Sequence, residues 1–147
     1  MCAKRHERSY ARRCALQVLY QSEILDTPPQ EIVDEGIFIE ENEILSDYVI
    51  VLVDGVEKYK ELIDVHLKDT SENWSLERMP IIDRSILRLA TFEMKYVEGV
   101  PLSVSINEAV ELAKDFGGED DSPRFVNGIL GRIAKFLEED DQHGHAK

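Results

Sequence analysis

Five cations crowd the first thirteen residues of this chain: Lys4, Arg5, Arg8, Arg12 and Arg13, opposed there only by Glu7. That local balance is +4, whereas the whole 147-residue chain carries −13. From Cys14 to Glu57 there is no Lys or Arg at all. Read as a helix over Lys4–Tyr20, the sequence brings Arg5, Arg8 and Arg12 within about 60° of one another. Arg13 lies beside them, and Tyr20 continues that side about two turns further on. Ala11, Cys14, Ala15, Val18, Ser22 and Leu25 fall on the opposite side, small and apolar enough to dock on the body. Guanidinium groups bind phosphate bidentately, and aromatic rings or guanidinium planes stack on unpaired bases. Cations beside a ring, segregated from an acidic body, are suited to a local contact with nucleic acid. The plain alternative is a solvated basic helix start, which would sit unfavourably at the positive end of the helix dipole.

The rest of the composition narrows the function classes. A hydrophobic content of 43% with 32% charged residues is ordinary for a globular chain and argues against global disorder. A chain of this length makes one domain that buries roughly 70% of its unfolded surface. The division expected is a single domain over 1–138 and a disordered polar tail over 139–147. No apolar run approaches 18 residues and the N-terminus has no apolar signal core, so the expected setting is cytoplasmic with no membrane contact. Cys2 and Cys14 are too few for a disulfide framework and lack metal-ligand spacing; Cys14 reads as a small core residue.

Catalysis finds little support. There is no P-loop, no GxGxxG after a strand, no HExxH and no GxSxG. The four histidines offer no evident base for a nucleophile: His66 reads as a packing residue, and His143 and His145 lie in the tail. Asp120 and Asp121 read as a solvated loop. Gly128-Ile-Leu-Gly131 matches the GxxG loop of KH domains only superficially, because strand neighbours are missing. The expectation is a protein that is not an enzyme and uses no cofactor or metal.

The elements that must position the arm are all helical by periodicity. Asp26-Thr-Pro-Pro29 breaks the first helix. Gln30–Ile39, with Ile32, Val33, Ile37 and Phe38, predicts a short second one. Glu40, Glu41 and Glu43 favour the start of a long third helix from Ile44 to about Leu67. Its stripe is Leu45, Tyr48, Val49, Leu52, Val56, Tyr59, Ile63 and His66, with Val51 and Val53 on the flanks. Asp69–Ser75, containing Trp74, reads as a polar loop, and Ser75–Met79 as one turn. Pro80 suits the first turn of a fourth helix running to Tyr96. Ile82, Ile86, Leu89, Ala90 and Phe92 face inward there, with Asp83, Arg84 and Arg88 more exposed. Ser105-Ile-Asn-Glu108 matches a capping box near the start of a fifth helix, whose apolar face is Ala109, Leu112, Ala113 and Phe116. Ser122-Pro123 opens a last helix to about Leu137, with the stripe Phe125, Val126, Ile129, Leu130, Ile133, Ala134 and Leu137. Gly128 and Gly131 suggest close approach of a neighbouring backbone.

Three blocks taken together carry a family resemblance. They are Ala11-Arg-Arg-Cys-Ala-Leu-Gln-Val-Leu-Tyr20, Asp83-Arg-Ser-Ile-Leu-Arg-Leu-Ala90 with Glu93, and Pro101 through Ile106-Asn-Glu-Ala-Val-Glu-Leu-Ala-Lys114 to Phe125-Val-Asn-Gly-Ile-Leu130. In this order they closely resemble the NusB family of bacterial transcription antitermination factors, over nearly the whole chain. The resemblance implies an all-α fold of about six to seven helices, as two small bundles sharing a core. It also implies binding to the boxA segment of nascent RNA together with the ribosomal protein that doubles as NusE. That assembly is an RNA polymerase antitermination complex acting notably in ribosomal RNA operons.

Position by position, the family's basic arm falls on Lys4, Arg8 and Arg12, with Gln17 and Tyr20 in the same helix. Its second RNA-contacting region falls on Asp121, Arg124 and Phe125, and its NusE-facing surface on Glu77, Asp83 and Arg84. Pro123 inside the second region, and Cys2-Ala3, His6 and Glu7 in the arm, depart from the family pattern. Tyr20 and Phe125 are open to either role, core or base stacking. Family members occur as monomers and as homodimers, so a homodimer is possible here. A related module precedes the catalytic domain of an rRNA cytosine methyltransferase; a chain ending at Lys147 is expected to lack room for a cofactor-binding domain. The alternative from another class is a helical adaptor or dimer module whose basic arm is incidental.

Overall fold

Ten consecutive residues of one helix, Ser85 to Met94, are buried, and the other helices are arranged around them. The computed structural model describes residues 2–35, 46–71 and 75–144, with side chains between 7 and 140. In chain order the elements are α1 (Cys2–Leu25), α2 (Pro29–Glu35), α3 (Asp47–Thr70), a 3₁₀ turn (Leu76–Arg78), α4 (Ile81–Tyr96), α5 (Leu102–Phe116) and α6 (Ser122–Gly144). Among the described residues every regular element is helical. α1, α2 and α3 pack on one another, as do α4, α5 and α6, and α4 also touches α1 and α3. Two three-helix groups therefore share one core around α4.

Prolines mark the starts. Pro29 opens α2, Pro80 and Pro101 immediately precede α4 and α5, and Pro123 sits in the first turn of α6, where a missing N–H costs nothing. The α3 stripe packs as its period predicts: Val49, Leu52, Val56 and Ile63 are buried, and Tyr48, Tyr59 and His66 are half-buried. Of the flanks, Val53 is buried while Val51 is 46% exposed, so the packed face widens on one side only. α3 runs on to Thr70, and Ser71 caps it with backbone and hydroxyl bonds to the Leu67 carbonyl (2.9 and 2.7 Å). Asp69 and Thr70, read from sequence as loop, are thus helical. Ile37, Phe38, Glu40, Glu41, Glu43, Ile44, Leu45 and Trp74 lie outside the described residues.

Glycine matters where helices crowd, and the sequence pattern points to the wrong positions. A Cβ on Gly128 or Gly131 would meet nothing within 4 Å, so neither marks a close approach. The close approach is at Gly55, where a Cβ would lie 2.0 Å from the Phe92 ring. That ring belongs to a stack with Tyr59 and Tyr96, whose centroids are 4.0 Å apart. Gly117 closes the tight α5–α6 turn, and a Cβ there would sit 2.5 Å from the Ala113 carbonyl oxygen.

Two further expectations change. Ser105 is not a cap: α5 starts at Leu102, so Ser105 lies inside the helix and is buried. α6 continues past Leu137 to Gly144, so residues 139–144, read from sequence as tail, extend the helix.

The polar side chains of α4 are not surface either. Asp83 and Arg88 are buried, and Arg84 is half-buried. Arg88 pairs bidentately with Asp64 of α3 (2.8 and 3.0 Å) and also with Glu23 of α1. Arg84 reaches the other Glu23 oxygen at 2.8 Å and the Leu76 carbonyl at 3.0 Å. Burial alone would raise the Glu23 pKa, but hydrogen bonds from Arg84 and Arg88 bring it below its ordinary value. A lowered carboxyl stabilises the fold above the unfolded value of 4.5, and that contribution is lost as pH falls through the folded value.

Two outcomes follow. Leu52→Ala, at a fully buried position, costs about 2–5 kcal/mol in urea denaturation, whereas Val51→Ala one residue away stays within about 0.5 kcal/mol. Equal losses would place the α3 face wrongly. Glu23→Gln destabilises the protein at pH 7 by more than at pH 3, because the wild type loses this ion-pair contribution on acidification. A stability difference that does not change with pH would remove Glu23 from the acid response.

Candidate nucleic-acid and partner interface

The arm is a continuation of α1 whose inner stripe is anchored on the core. Ala11, Cys14, Ala15 and Val18 are buried as expected, together with Leu16 and Leu19. Ser22 is half-buried and Leu25 is exposed, so the docked stripe ends before the helix does. Arg8, Arg13, Gln17 and Tyr20 all face outward, Tyr20 at 37% exposure. This settles Tyr20 as a surface ring. Lys4 and Arg5 belong to α1 by backbone, and their side chains lie outside the described residues.

Arg12 is the exception among the arm cations: it points inward and is 5% exposed. Its Nε donates to both Glu93 oxygens at 3.1 and 2.9 Å, and its Nη1 lies 3.2 Å from Glu108 Oε1. Glu93 also accepts from Ser105 Oγ at 2.6 Å and from the Tyr48 hydroxyl. Burial, and then the bond to Glu93, push the Tyr48 pKa upward, so the phenol keeps its proton and remains the donor. Arg12 is therefore a structural cation, contrary to its sequence reading as a phosphate ligand. The helical angle to Arg5 and Arg8 is sound; what turns it inward is a carboxylate 81 residues away.

Tyr48 also serves the arm from its other side. The Arg8 guanidinium lies over its ring, 4.6 Å from the centroid, which supports the planar group while leaving Arg8 exposed. Arg13 is similarly braced, paired with Asp115 at 2.7 Å and lying 4.8 Å from the Phe116 ring centroid. α5 thus runs beside the arm, meeting Arg12 through Glu108 and Arg13 through its last turn. Arg8 and Arg12 share an open groove of ≈ 290 Å³ with residues of the α4–α5 link and α5.

Just beyond α5 lies the second predicted region. Asp121 and Arg124 are exposed, while Phe125 is half-buried and packed against the core. Asp83 builds this turn: it accepts from the Gly118 amide at 3.0 Å and from Ser122 Oγ at 2.7 Å. Ser122 Oγ in turn accepts from the Glu119 amide at 3.0 Å. Asp83 is therefore an internal turn anchor, which corrects its assignment to a partner surface. Arg84 likewise braces the 3₁₀ turn from below, and of the three predicted partner residues only Glu77 is fully exposed.

Sequence reasoning missed Tyr48, Glu93, Ser105 and Glu108 as a unit. Tyr48 was legible only as an apolar stripe member, and Ser105 with Glu108 only as a capping box. Among the described residues no group of three His, Cys, Asp or Glu side chains is arranged to hold a metal ion. His66 has neither ring nitrogen hydrogen-bonded and packs edge-on against Phe136, centroids 4.9 Å apart. Burial, then the Lys95 charge, lower its pKa, as suits a neutral packing histidine.

The bundle sets exposed arginines and Tyr20 of α1 on an all-helical scaffold with a turn held by Asp83, unlike the strand-based nucleic-acid folds. The chain belongs to the NusB family, whose model matches residues 9–135. A transcription antitermination protein NusB of Bacillus cereus is 44% identical over 131 residues, covering 89% of this chain and 99% of the relative. The crystal form of Thermotoga maritima NusB is 34% identical with a TM-score of 0.79, covering 87% of this chain and 90% of that one. A crystal structure of the antitermination factors NusB and NusE with double-stranded RNA matches at a TM-score of 0.78 and 28% identity, over 88% and 97% of the two chains.

The Arg12 assignment has a direct consequence. Arg12→Met leaves Glu93 buried without its cation and costs about 3–5 kcal/mol in chemical denaturation. Arg8→Ala loses only an exposed ring contact and costs about 1 kcal/mol or less. Adding Glu93→Gln to Arg12→Met recovers part of the loss; an Arg12→Met variant as stable as wild type would return Arg12 to the surface.

Proposed function

We propose that this chain is an RNA-binding transcription antitermination factor that acts with a NusE-type ribosomal protein on boxA-type RNA. The observation that carries the reading is Arg8, an exposed guanidinium braced on Tyr48 with no carboxylate partner among the described residues. Arg13, Gln17 and Tyr20 continue its outward side of α1, and Lys4 and Arg5 extend the cationic run toward the N-terminus. Arg124, with Asp121 and Phe125, supplies a second contact at the start of α6. Membership of the NusB family, and a relative's structure that holds NusE and RNA, support the same reading. The acidic body suits a basic ribosomal protein, and Glu77 on the 3₁₀ turn is the outward carboxylate for that contact. Asp83 and Arg84 act on the partner only by holding the turns that flank it. The setting is cytoplasmic and the chain is not an enzyme in this reading; no described helix is long and apolar enough to cross a membrane.

Charge and stacking separate in a titration of boxA-type single-stranded RNA at several salt concentrations, with and without the ribosomal partner. Arg8→Ala weakens binding to all sequences alike and reduces the salt slope by about 0.7, the value for one lost single-strand phosphate contact. Tyr20→Leu costs about 1–3 kcal/mol of affinity with the slope unchanged, as for a lost base stack. RNA affinity and slope that survive Arg8→Ala would refute the arm and favour the adaptor reading.

A further inference from the structure

The groove between α1 and α5 lies beside the arm, yet its charge does not suit a phosphate. Arg12 is already bonded to Glu93 and Glu108, so Arg8 is the cation left facing it. Glu108 and Glu111 line the same groove, giving carboxylates in number equal to the guanidinium groups. A phosphate oxygen entering here would meet like charge, whereas on the outward side Arg13 pairs with Asp115 and Arg8 has no ion pair among the described residues. The groove's other walls are the apolar side chains of Pro101 and Val104 and the Asn107 amide. That amide is exposed and makes no hydrogen bond among the described residues.

Glu108 is the best-placed acceptor. Ser9 Oγ donates to its Oε1 at 2.5 Å and Arg12 Nη1 approaches the same oxygen at 3.2 Å. Both described bonds end on one oxygen, so the carboxylate is held and no described bond ends on its Oε2, with the side chain 25% exposed. An ionised carboxylate accepts only, so it selects a ligand edge that presents donors. Resting on the RNA reading above, the geometry points to this groove as a single-nucleobase subsite that prefers guanine, with Glu108 as its acceptor. Guanine carries two adjacent donors, N1–H and the N2 amino group, on one edge, beside the O6 acceptor. The donors face Glu108, O6 faces the Arg8 guanidinium or the Asn107 amide, and the ring lies on Pro101 and Val104. At ≈ 290 Å³ the groove is at the small end of ligand sites, roughly 300–1,000 Å³, which suits one base. Adenine and uracil do not present a paired set of donors to a carboxylate, and inosine lacks the N2 amino group.

The test uses the full chain and uridine 12-mers carrying one central guanosine, inosine, adenosine or uridine, titrated by fluorescence anisotropy. The guanosine oligomer binds about tenfold more tightly than the other three, in the range of one good base-edge contact. Glu108→Gln reduces that preference below about twofold while leaving affinity for the all-uridine oligomer unchanged. Because Glu108 also touches Arg12, a second variant is included: Val104→Phe fills the groove from its apolar wall while keeping both carboxylates in the sequence. It too abolishes the preference, and thermal melts establish that each variant is folded. Equal binding of all four oligomers that still depends on Arg8 overturns the subsite and leaves the RNA reading standing. A guanosine preference that persists in a folded Val104→Phe variant also overturns it. Absence of binding to any oligomer, and to boxA-type RNA with the ribosomal partner present, overturns the RNA reading, and the subsite with it.

Discussion

Glu93 is the constraint on which the rest of this structure depends. Its carboxylate is buried in the middle of the bundle and receives donors from Arg12 of α1, Tyr48 of α3 and Ser105 of α5. Burying an unpaired carboxylate would be prohibitive, and even a paired one is weak evidence for net stability. What the arrangement supplies is uniqueness of assembly. A shift of α1, α3 or α5 by one turn would leave a buried charge or hydroxyl without its partner, at a cost of roughly 1–3 kcal/mol or more for each. Apolar contacts alone would tolerate such slips more readily, because hydrophobic burial is non-directional.

The same logic repeats along α4. Near the middle, Arg88 joins α3 to α1 through Asp64 and Glu23; at the start, Asp83 gathers the α5–α6 turn. α4 is therefore a core helix whose charged residues Asp83, Arg84, Arg88 and Glu93 are directional staples to its neighbours. A core helix without them would read as hydrophobic all round. The functional consequence is that both proposed RNA-contacting regions are fixed to one element. α1 is held by the Glu93 and Glu23 clusters, and the start of α6 by Asp83, so their relative placement follows from α4 and does not depend on long loops.

Charge is distributed to match. The body is strongly acidic, yet three carboxylates beside the arm are engaged: Glu93 with Arg12, Asp115 with Arg13, Glu108 with Ser9 and Arg12. Arg8 rests on a neutral ring and, alone among the described arm cations, has no carboxylate partner. A guanidinium stacked on a phenol keeps its outward donors while losing part of its rotational freedom. An exposed cation prepared in this way binds a phosphate at lower entropic cost than a free side chain.

Local patterns in the sequence were sufficient for the helices. Prolines at 29, 80, 101 and 123 stand at helix starts, and the stripes of α3 and α6 name most of the buried residues of those helices, because helical periodicity and the missing proline N–H act within a few residues. The outward arginines of α1 at Arg8 and Arg13 were legible for the same reason. Tertiary structure alone decided the sense of each polar residue that sits at a stripe edge. Arg12, Asp83 and Arg88 have the sequence signature of surface charges, but each has partners supplied by a helix distant in sequence. Ser105 looks like a cap and Glu108 like its capping-box mate until α1 and α4 are brought beside them. Gly55, unremarkable in its own helix, is required only because Phe92 of α4 packs onto it. Burial of a charge depends on whether a complementary group arrives from elsewhere, and no spacing within one helix carries that information.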